Sequence, residues 1–448
     1  MNNIMQWEKL ISDKRLGVDS SRSPIIKGVR TDFEHDYDRM VFSSPFRRLQ
    51  NKTQVFPLPG NVFVHNRLTH SLEVSCVGRS LGTIVSRALR KKHGETLFPQ
   101  DGTISSIVSA ACLAHDLGNP PFGHSGEKVI GAYFSEGNGR KWKNQVEDEG
   151  ARWADFTHFE GNANAFRLLT HQFVGRRKGG FALTYSTLAS IIKYPYSSLS
   201  VGEQGKFGFF ETEEQTMIEV AGHLGMIKIS DYPLRYCRHP LVYLVEAADD
   251  ICYQIMDLED AYKLKILSYD ETLQLLMDFF PNDVSDQHLE ILQEIDDTNE
   301  KIAYLRSKVI NLLAENCARA FIENEDKILR GELNGALISH INKREREAYK
   351  KCSKTAYAKI YPARDVLDVD LAGHQIFAAL LDKLLEALNH PEYLYSKSLL
   401  SRISSQYDTK QQSMYGKIQC ALDYISGMTD IYALDMYRKI TGMSLPAI

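Results

Sequence analysis

Apolar residues recur at intervals of three and four through most of the chain, and runs alternating apolar with polar residues are scarce, so the pattern predicts a mainly α fold. Over 68–90, Leu68, Leu72, Cys76, Leu81, Ile84, Val85 and Ala88 gather on one side, and Arg90-Lys91-Lys92 before Gly94 supplies a basic last turn and a stop. His70 falls in the first turn of that helix. Over 103–117, Ile104, Ile107, Val108, Ala111 and Cys112 mark a second helix whose next inward position is His115. Gly118 ends it, and Asn119-Pro120-Pro121-Phe122-Gly123 predicts an ordered turn, because two prolines fix φ and remove backbone donors. A third helix is expected to begin with Pro240 at its first position and to run through Leu241, Leu244, Val245, Ala248, Cys252 and Ile255. Glu246, Asp249, Asp250, Tyr253 and Asp257 lie inside that apolar frame.

Further amphipathic stretches occupy 288–330 and 371–390, with no Pro/Gly-rich linker and no internal repeat. Residues 135–157 are polar and irregular, which predicts a long solvated loop; a lid over a site is the other reading. The segment 343–354 is basic and helical in composition, a solvated face or a patch for single-stranded nucleic acid.

Composition narrows the class. With 43% apolar and 25% charged residues the chain reads as globular, and a net charge of −4 argues against a general attraction to nucleic acid or anionic membrane. Any anion site must be local. Cysteines at 76, 112, 237, 252, 317, 352 and 420 form no Cys-x-x-Cys pair, so neither a disulfide framework nor a thiolate zinc site is expected. A cytoplasmic protein without a membrane span or export signal fits these features.

The chemistry begins at His115-Asp116. Such a pair at a helix end is ordinarily a capping or surface feature. Its meaning changes with His70 at a separate helix start and Asp249 within an apolar helix, where a carboxylate needs a partner. Two imidazoles and two carboxylates from three helices would suit a divalent cation with positions left for water and substrate, Mn, Fe, Co or Zn by ligand type, or Mg by availability. Arg67 precedes His70 by three and shares its helical face, in reach of a phosphate. His124 and Glu127 stand in the same relation after the Pro-Pro turn, either a surface contact or a carboxylate-oriented general acid. Asp249, Tyr253 and Asp257 form a stripe at intervals of four, for which metal ligand, phosphate donor and sugar-hydroxyl acceptor are candidate roles.

Four strings in this order, His65-Asn-Arg-Leu-Thr-His-Ser71, His115-Asp-Leu-Gly-Asn-Pro-Pro-Phe-Gly-His-Ser-Gly-Glu127, Phe159-Glu-Gly-Asn162 and Glu246-Ala-Ala-Asp-Asp-Ile-Cys-Tyr253, resemble the bacterial deoxyguanosine triphosphate triphosphohydrolases of the HD superfamily. The likeness runs from Arg30 to about Asp257 and more weakly to Leu371. It departs at His35, where arginine is expected, and at 135–157, which does not align.

The resemblance implies an HD-type helical core over 1–270, with an N-terminal segment that contacts substrate. A helical region over 271–448 would pack on that core and supply an oligomer interface. It further implies hydrolysis of a dNTP, dGTP favoured, to the deoxynucleoside and tripolyphosphate. By position His70, His115, Asp116 and Asp249 match its metal ligands and His124 with Glu127 its catalytic pair. Gln54 and Asp257 match readers of the 3′-hydroxyl, and Arg67, Lys193, Lys206, Tyr253 and Arg364 match triphosphate contacts. His158 and Asn119 fall beside the catalytic pair. A homo-oligomer, hexamer or tetramer, with Arg364 acting across an interface, and a single-stranded DNA or nucleotide effector are the expected partners.

Expulsion of an alkoxide from phosphorus needs a proton at once, which gives His124 its reason; expulsion of pyrophosphate does not. Two other readings stand beside this one. Another HD hydrolase, acting on a monophosphate, a cyclic nucleotide or an alarmone, would differ in products. A nucleotide sensor or nucleic-acid-binding protein would show no turnover.

Overall fold

The computed structural model describes residues 4–18, 30–56, 64–95, 102–202 and 205–444. These residues are mainly helical, and the strands among them are a short antiparallel pair, Lys228–Ser230 with Arg235–Tyr236. The helices that frame the site are α1 (Asp32–Val41), α2 (Arg67–His93), α3 (Thr103–Ala114), α4 (Gly123–Ser135), α5 (Lys143–Asp148), α6 (Ala154–Thr157), α7 (Gly161–Thr170), α8 (Val242–Lys263), α9 (Asn282–Gln293), α10 (Thr298–Glu323), α11 (Lys343–Thr355), α12 (Arg364–Asn389), α13 (Met414–Ser426) and α14 (Asp430–Ile440).

Local chemistry sets the ends of α2. The Asn66 side chain accepts the Thr69 amide while the Thr69 hydroxyl meets the Asn66 amide, a reciprocal cap. Gly94 closes the helix at φ 91°. That cap fixes where His70 points, since it holds the first turn in which the imidazole sits. Helix α3 is buried along its whole length and lies against α2, with α1 on one side of it and α8 and α10 along α2. Each large apolar side chain fully buried at these contacts is worth about 1.5–3 kcal/mol, so the helices that carry the candidate ligands are firmly held.

A second buried cluster forms around α4. Ile130 and Phe134 meet Phe377, Leu381 and Leu384 of α12 and Ile418 and Ile425 of α13. Residues 376–436 therefore share one buried core with the helix that begins at Gly123 and carries His124.

Several sequence expectations need correction. Residues 135–157 are not an irregular excursion: they hold a 3₁₀ turn at Asn138–Trp142 and then α5 and α6, with Val146, Trp153 and Phe156 buried in the second core. The apolar residues are few and divided among three short turns of helix, so no long periodic run marks them, and the local turns are held by distant partners. Glu149 accepts the amides of Met414 and Tyr415, and Asp155 accepts from Ser198, Tyr415 and the Glu211 amide. Pro240 does not start α8; the chain makes a tight turn through His239–Leu241 and the helix begins at Val242. The stretch 288–330 is broken between α9 and α10, where Asp297 caps the Asn299 and Glu300 amides. The stretch expected at 371–390 begins earlier, at Arg364. The basic segment is α11, which turns Ala348 and Cys352 into the core and lets the Tyr349 hydroxyl donate to the Asp250 carbonyl.

Candidate active site

The first turn of α2, the end of α3 and the middle of α8 converge. His70, 2% exposed, places Nε2 3.2 Å from Asp249 Oδ1, and His115 Nε2 lies 3.6 Å from the same oxygen. One ligand atom from each of the three falls within 4.8 Å of the others. The Nδ1 of His115 is 2.6 Å from the Cys112 carbonyl and donates to it, so in that tautomer the lone pair is on Nε2. That Nε2 is buried and has no hydrogen-bond partner. A buried lone pair aimed at carboxylates, with an imidazole beside it, fits a divalent cation better than it fits any protein donor. Burial would lower the His115 pKa, but Asp116 and Asp249 raise it to about 9, the same attraction that would draw a cation.

Asp116 stands at the edge of this set. Its Oδ2 accepts from Arg67 Nη1 at 2.7 Å and lies 3.6 Å from His115 Nε2, while its Oδ1 accepts from Asn119 Nδ2 at 2.5 Å. Burial alone would raise this carboxyl, yet Arg67 and then the two imidazoles bring it down to about 2. The carboxylate is thus anionic at neutral pH, oriented by an arginine and an amide.

The second group of residues follows the Pro-Pro turn. His124 Nδ1 lies 3.0 Å from Glu127 Oε2, which raises the imidazole pKa, and its ring faces solvent in the cleft. Glu127 is held from three sides. The Gly161 amide donates to Oε1 at 3.0 Å, and Lys206 Nζ lies 3.3 Å from Oε2 and 2.7 Å from Glu160 Oε2. Burial would raise Glu127, but His124 and then Lys206 and Arg67 bring it down to about 2. Gly161 has to be glycine here: a Cβ would sit 2.1 Å from Asn119 Oδ1 and 2.4 Å from Glu127 Oε1.

Two adjoining clefts meet along this line. One, of about 320 Å³, contains His70, His115, Asp116, Asn119, Lys193 and Asp249. The other, of about 750 Å³, runs over Phe122, His158, Phe159, Tyr361, Val366 and Asp370. Gln54, His124, Lys206, Tyr253 and Tyr357 face both, so His124 stands at the seam between a small chamber that contains the candidate ligands and a larger one. Gln54 Oε1 and Arg67 Nε are buried without partners.

Of the residues singled out in the sequence, Lys193 pairs with Glu246 at 3.3 Å, and Tyr253 lies edge-on to His70 and stacks on Tyr361. Asp257 is buried behind Tyr361, whose hydroxyl donates to it at 3.0 Å, and burial pushes its carboxyl up to about 8. It lines neither cleft. Arg364, the first residue of α12, is exposed and also stands outside both walls.

Three residues at the site had no reading in the sequence. His65 is held between Asp260, at 2.8 Å, and Glu73, at 3.1 Å, and so ties the start of α2 to α8. Its spacing from Glu73 is two helical turns, which is the one local signal it offers. Tyr361 reaches the site from far along the chain, and the buried Lys52, two residues before Gln54, gives no sign of its distant partners.

Residues 339–439 match a family model described as the phosphohydrolase-associated domain. The chain is 38% identical to a deoxyguanosinetriphosphate triphosphohydrolase-like protein of Pseudomonas aeruginosa (strain LESB58), with 99% of this chain and all of that protein aligned. A similarly named protein of Synechocystis sp. is also 38% identical, over 98% of this chain and its own full length. A deoxyguanosinetriphosphate triphosphohydrolase of Cronobacter sakazakii is 31% identical, with 94% and 97% covered. Among the described residues no helix is long and apolar enough to cross a membrane.

Proposed function

Because the chain belongs to the deoxyguanosinetriphosphate triphosphohydrolase family, we propose that it hydrolyses a deoxynucleoside triphosphate, dGTP by preference, to the deoxynucleoside and inorganic tripolyphosphate. The observation that carries this reading is the place of His124. It stands at the seam of the two clefts, between the chamber with the candidate metal ligands and the chamber large enough for a nucleoside.

Water adds to the α-phosphorus and the bond from phosphorus to the nucleoside 5′-oxygen breaks. His124 donates the proton that this oxygen needs. With Nδ1 engaged by Glu127, Nε2 is the nitrogen free to face the leaving group, and Glu127 keeps the ring charged and oriented. The metal would be held by His70, His115, Asp249 and Asp116, with Mn, Mg, Fe, Co or Zn as the candidates. When bound, such an ion polarises a phosphoryl oxygen and makes a water more acidic.

Arg67, Lys193 and Lys206 surround the smaller chamber and would neutralise the triphosphate, Tyr253 would donate a hydrogen bond to it, and the unpartnered Nε of Arg67 is a donor in want of an acceptor there. Gln54, whose buried Oε1 lacks a donor, would accept the 3′-hydroxyl of the sugar, and Asp257 would act on that hydroxyl only by way of the Tyr361 hydroxyl that now covers it. Asn119 orients Asp116, and His158 closes the nucleoside side. Arg364 would reach a triphosphate only from a neighbouring subunit. The test is to incubate the protein with Mn and each dNTP and to weigh the products. Deoxynucleoside and tripolyphosphate are expected, fastest from dGTP; a monophosphate with pyrophosphate, or no turnover, would reject the proposal.

A further inference from the structure

The turn between α13 and α14 lies far in sequence from every residue discussed as chemistry, yet it is bolted to two segments of the site. Asp430, the first residue of α14 and 4% exposed, divides its carboxylate. Its Oδ1 accepts the Phe122 amide at 3.0 Å and its Oδ2 accepts the Thr53 amide at 2.8 Å. Beside it, Lys52 Nζ donates to the Ser426 carbonyl at 2.7 Å and to the Asn119 carbonyl at 2.6 Å. A cation at the C-terminal end of α13 and an anion at the N-terminal end of α14 are each favoured by the helix dipole, so the turn suits both groups.

The turn that is held has few means of holding itself. Between Asn119 and Gly123 two prolines lack an amide hydrogen, and Phe122 sits at φ 62°, a conformation that a residue with a side chain keeps only under outside constraint. Its amide is the donor that Asp430 captures. Its ring meets Phe377 of α12 edge-on, a second grip from the same C-terminal layer. His124 stands two residues beyond Phe122 along the chain. Asn119, whose side chain orients Asp116, stands just before the prolines. The segment 52–53 leads into Gln54, and the Lys52 carbonyl accepts the Arg67 amide at 3.2 Å.

We propose that Asp430 and Lys52 are positioning residues for the hydrolysis. Through them the 426–430 turn, within the stretch that matches the phosphohydrolase-associated domain, sets where His124 stands relative to Asp116 and Gln54. The C-terminal layer is then part of the catalytic apparatus, which α4 alone could not place. This rests on the role proposed for His124 as proton donor.

The test is a cycle of Asp430→Asn, His124→Ala and both together, assayed on dGTP with Mn. Asparagine keeps one acceptor and turns an amide nitrogen toward the other N–H. Asp430→Asn should lower kcat roughly 10- to 100-fold, as a displacement near 1 Å does, with KM little changed. The double variant should be no slower than His124→Ala, because both changes remove the same proton donation. Multiplied losses in the double variant, or a single variant within about twofold of wild type, would overturn the proposal. If His124→Ala itself turns over normally, it is the general-acid reading that fails. Amide hydrogen exchange in the wild-type protein does not depend on any variant folding: the Phe122 and Thr53 amides should be protected, and rapid exchange at either would also overturn the proposal.

Discussion

Gly123 is the position at which one added carbon should separate stability from catalysis. Its φ is +58°, and a Cβ built there would stand 2.3 Å from Nη2 of Arg67. Arginine side chains usually yield to such an intrusion. This one is 1% exposed and its Nη1 is held 2.7 Å from Asp116, so the guanidinium can give way only by leaving the carboxylate. Gly123→Ala therefore carries two costs. The backbone cost of a left-handed alanine is about 1–2 kcal/mol. Melting will hardly register it: unfolding entropy is roughly 2 cal/mol/K per residue, so a 448-residue chain unfolding as one unit shifts by about one or two degrees. The second cost, the lost bond from Arg67 to Asp116, takes about two or three degrees more from the melting point and also falls on turnover. A charge-assisted hydrogen bond is worth about 1.5–3 kcal/mol, which at about 1.4 kcal/mol per factor of ten lowers kcat/KM roughly 10- to 150-fold. The assay is steady-state dGTP hydrolysis of Gly123→Ala, Arg67→Ala and the double variant, with melting curves alongside. The alanine at 123 should add little once Arg67 is gone. A Gly123→Ala enzyme within about threefold of wild type would show that Arg67 does not occupy this place when the enzyme works.

Asp249→Asn should lose bound metal, measured by elemental analysis after dialysis against Mn, and a chelator should silence the wild-type enzyme until Mn is returned; full occupancy in the variant would remove Asp249 from the ligand set. His124→Ala should keep metal and dGTP binding while kcat falls by about 10²-fold, as loss of a general acid does, and near-normal turnover would refute its role. His65 gives a pH prediction. Burial lowers its pKa, but hydrogen bonds to Asp260 and Glu73 outweigh this and raise it to about 10. A raised imidazole pKa contributes stability that is complete below about 6.5 and is lost as pH rises through about 10. His65→Phe leaves Asp260 buried without its cation and should cost about 3 kcal/mol at pH 6, read from urea midpoints. The gap should close by pH 10 to 11, and a gap independent of pH would mean that His65 is neutral in the folded protein.

The helices that carry the candidate ligands were legible because each buries one face: the spacing from Ile104 to Cys112 points to His115, and the apolar frame of α8 makes Asp249 conspicuous. Periodicity fails where burial rests on single anchors. Val146, Trp153 and Phe156 are buried in the second core from two short helices and the loop between them, too short a run to mark one amphipathic face, and the carboxylates of Glu149 and Asp155 find their partners more than forty residues away. A window of fifteen residues contains none of that information.

The site divides along the same line. His124 and Glu127 share one turn of helix, so their contact is written in their spacing. Asp116 illustrates the limit, since its neighbours are named in the sequence but the direction of its oxygens is not. Arg67 and Asn119 claim one oxygen each, which makes it the least free of the four candidate ligands. Contacts that join segments hundreds of residues apart left no local trace at all. Asp430 reads as a helix-start acid, a common surface feature, and Lys52 as one more lysine. Only when the chain closes do the two meet the backbone on either side of the prolines, at Phe122 and Asn119. A turn with two prolines and a left-handed Phe122 makes few bonds within itself, so the residues that steady it have to come from outside the motif that made it recognisable.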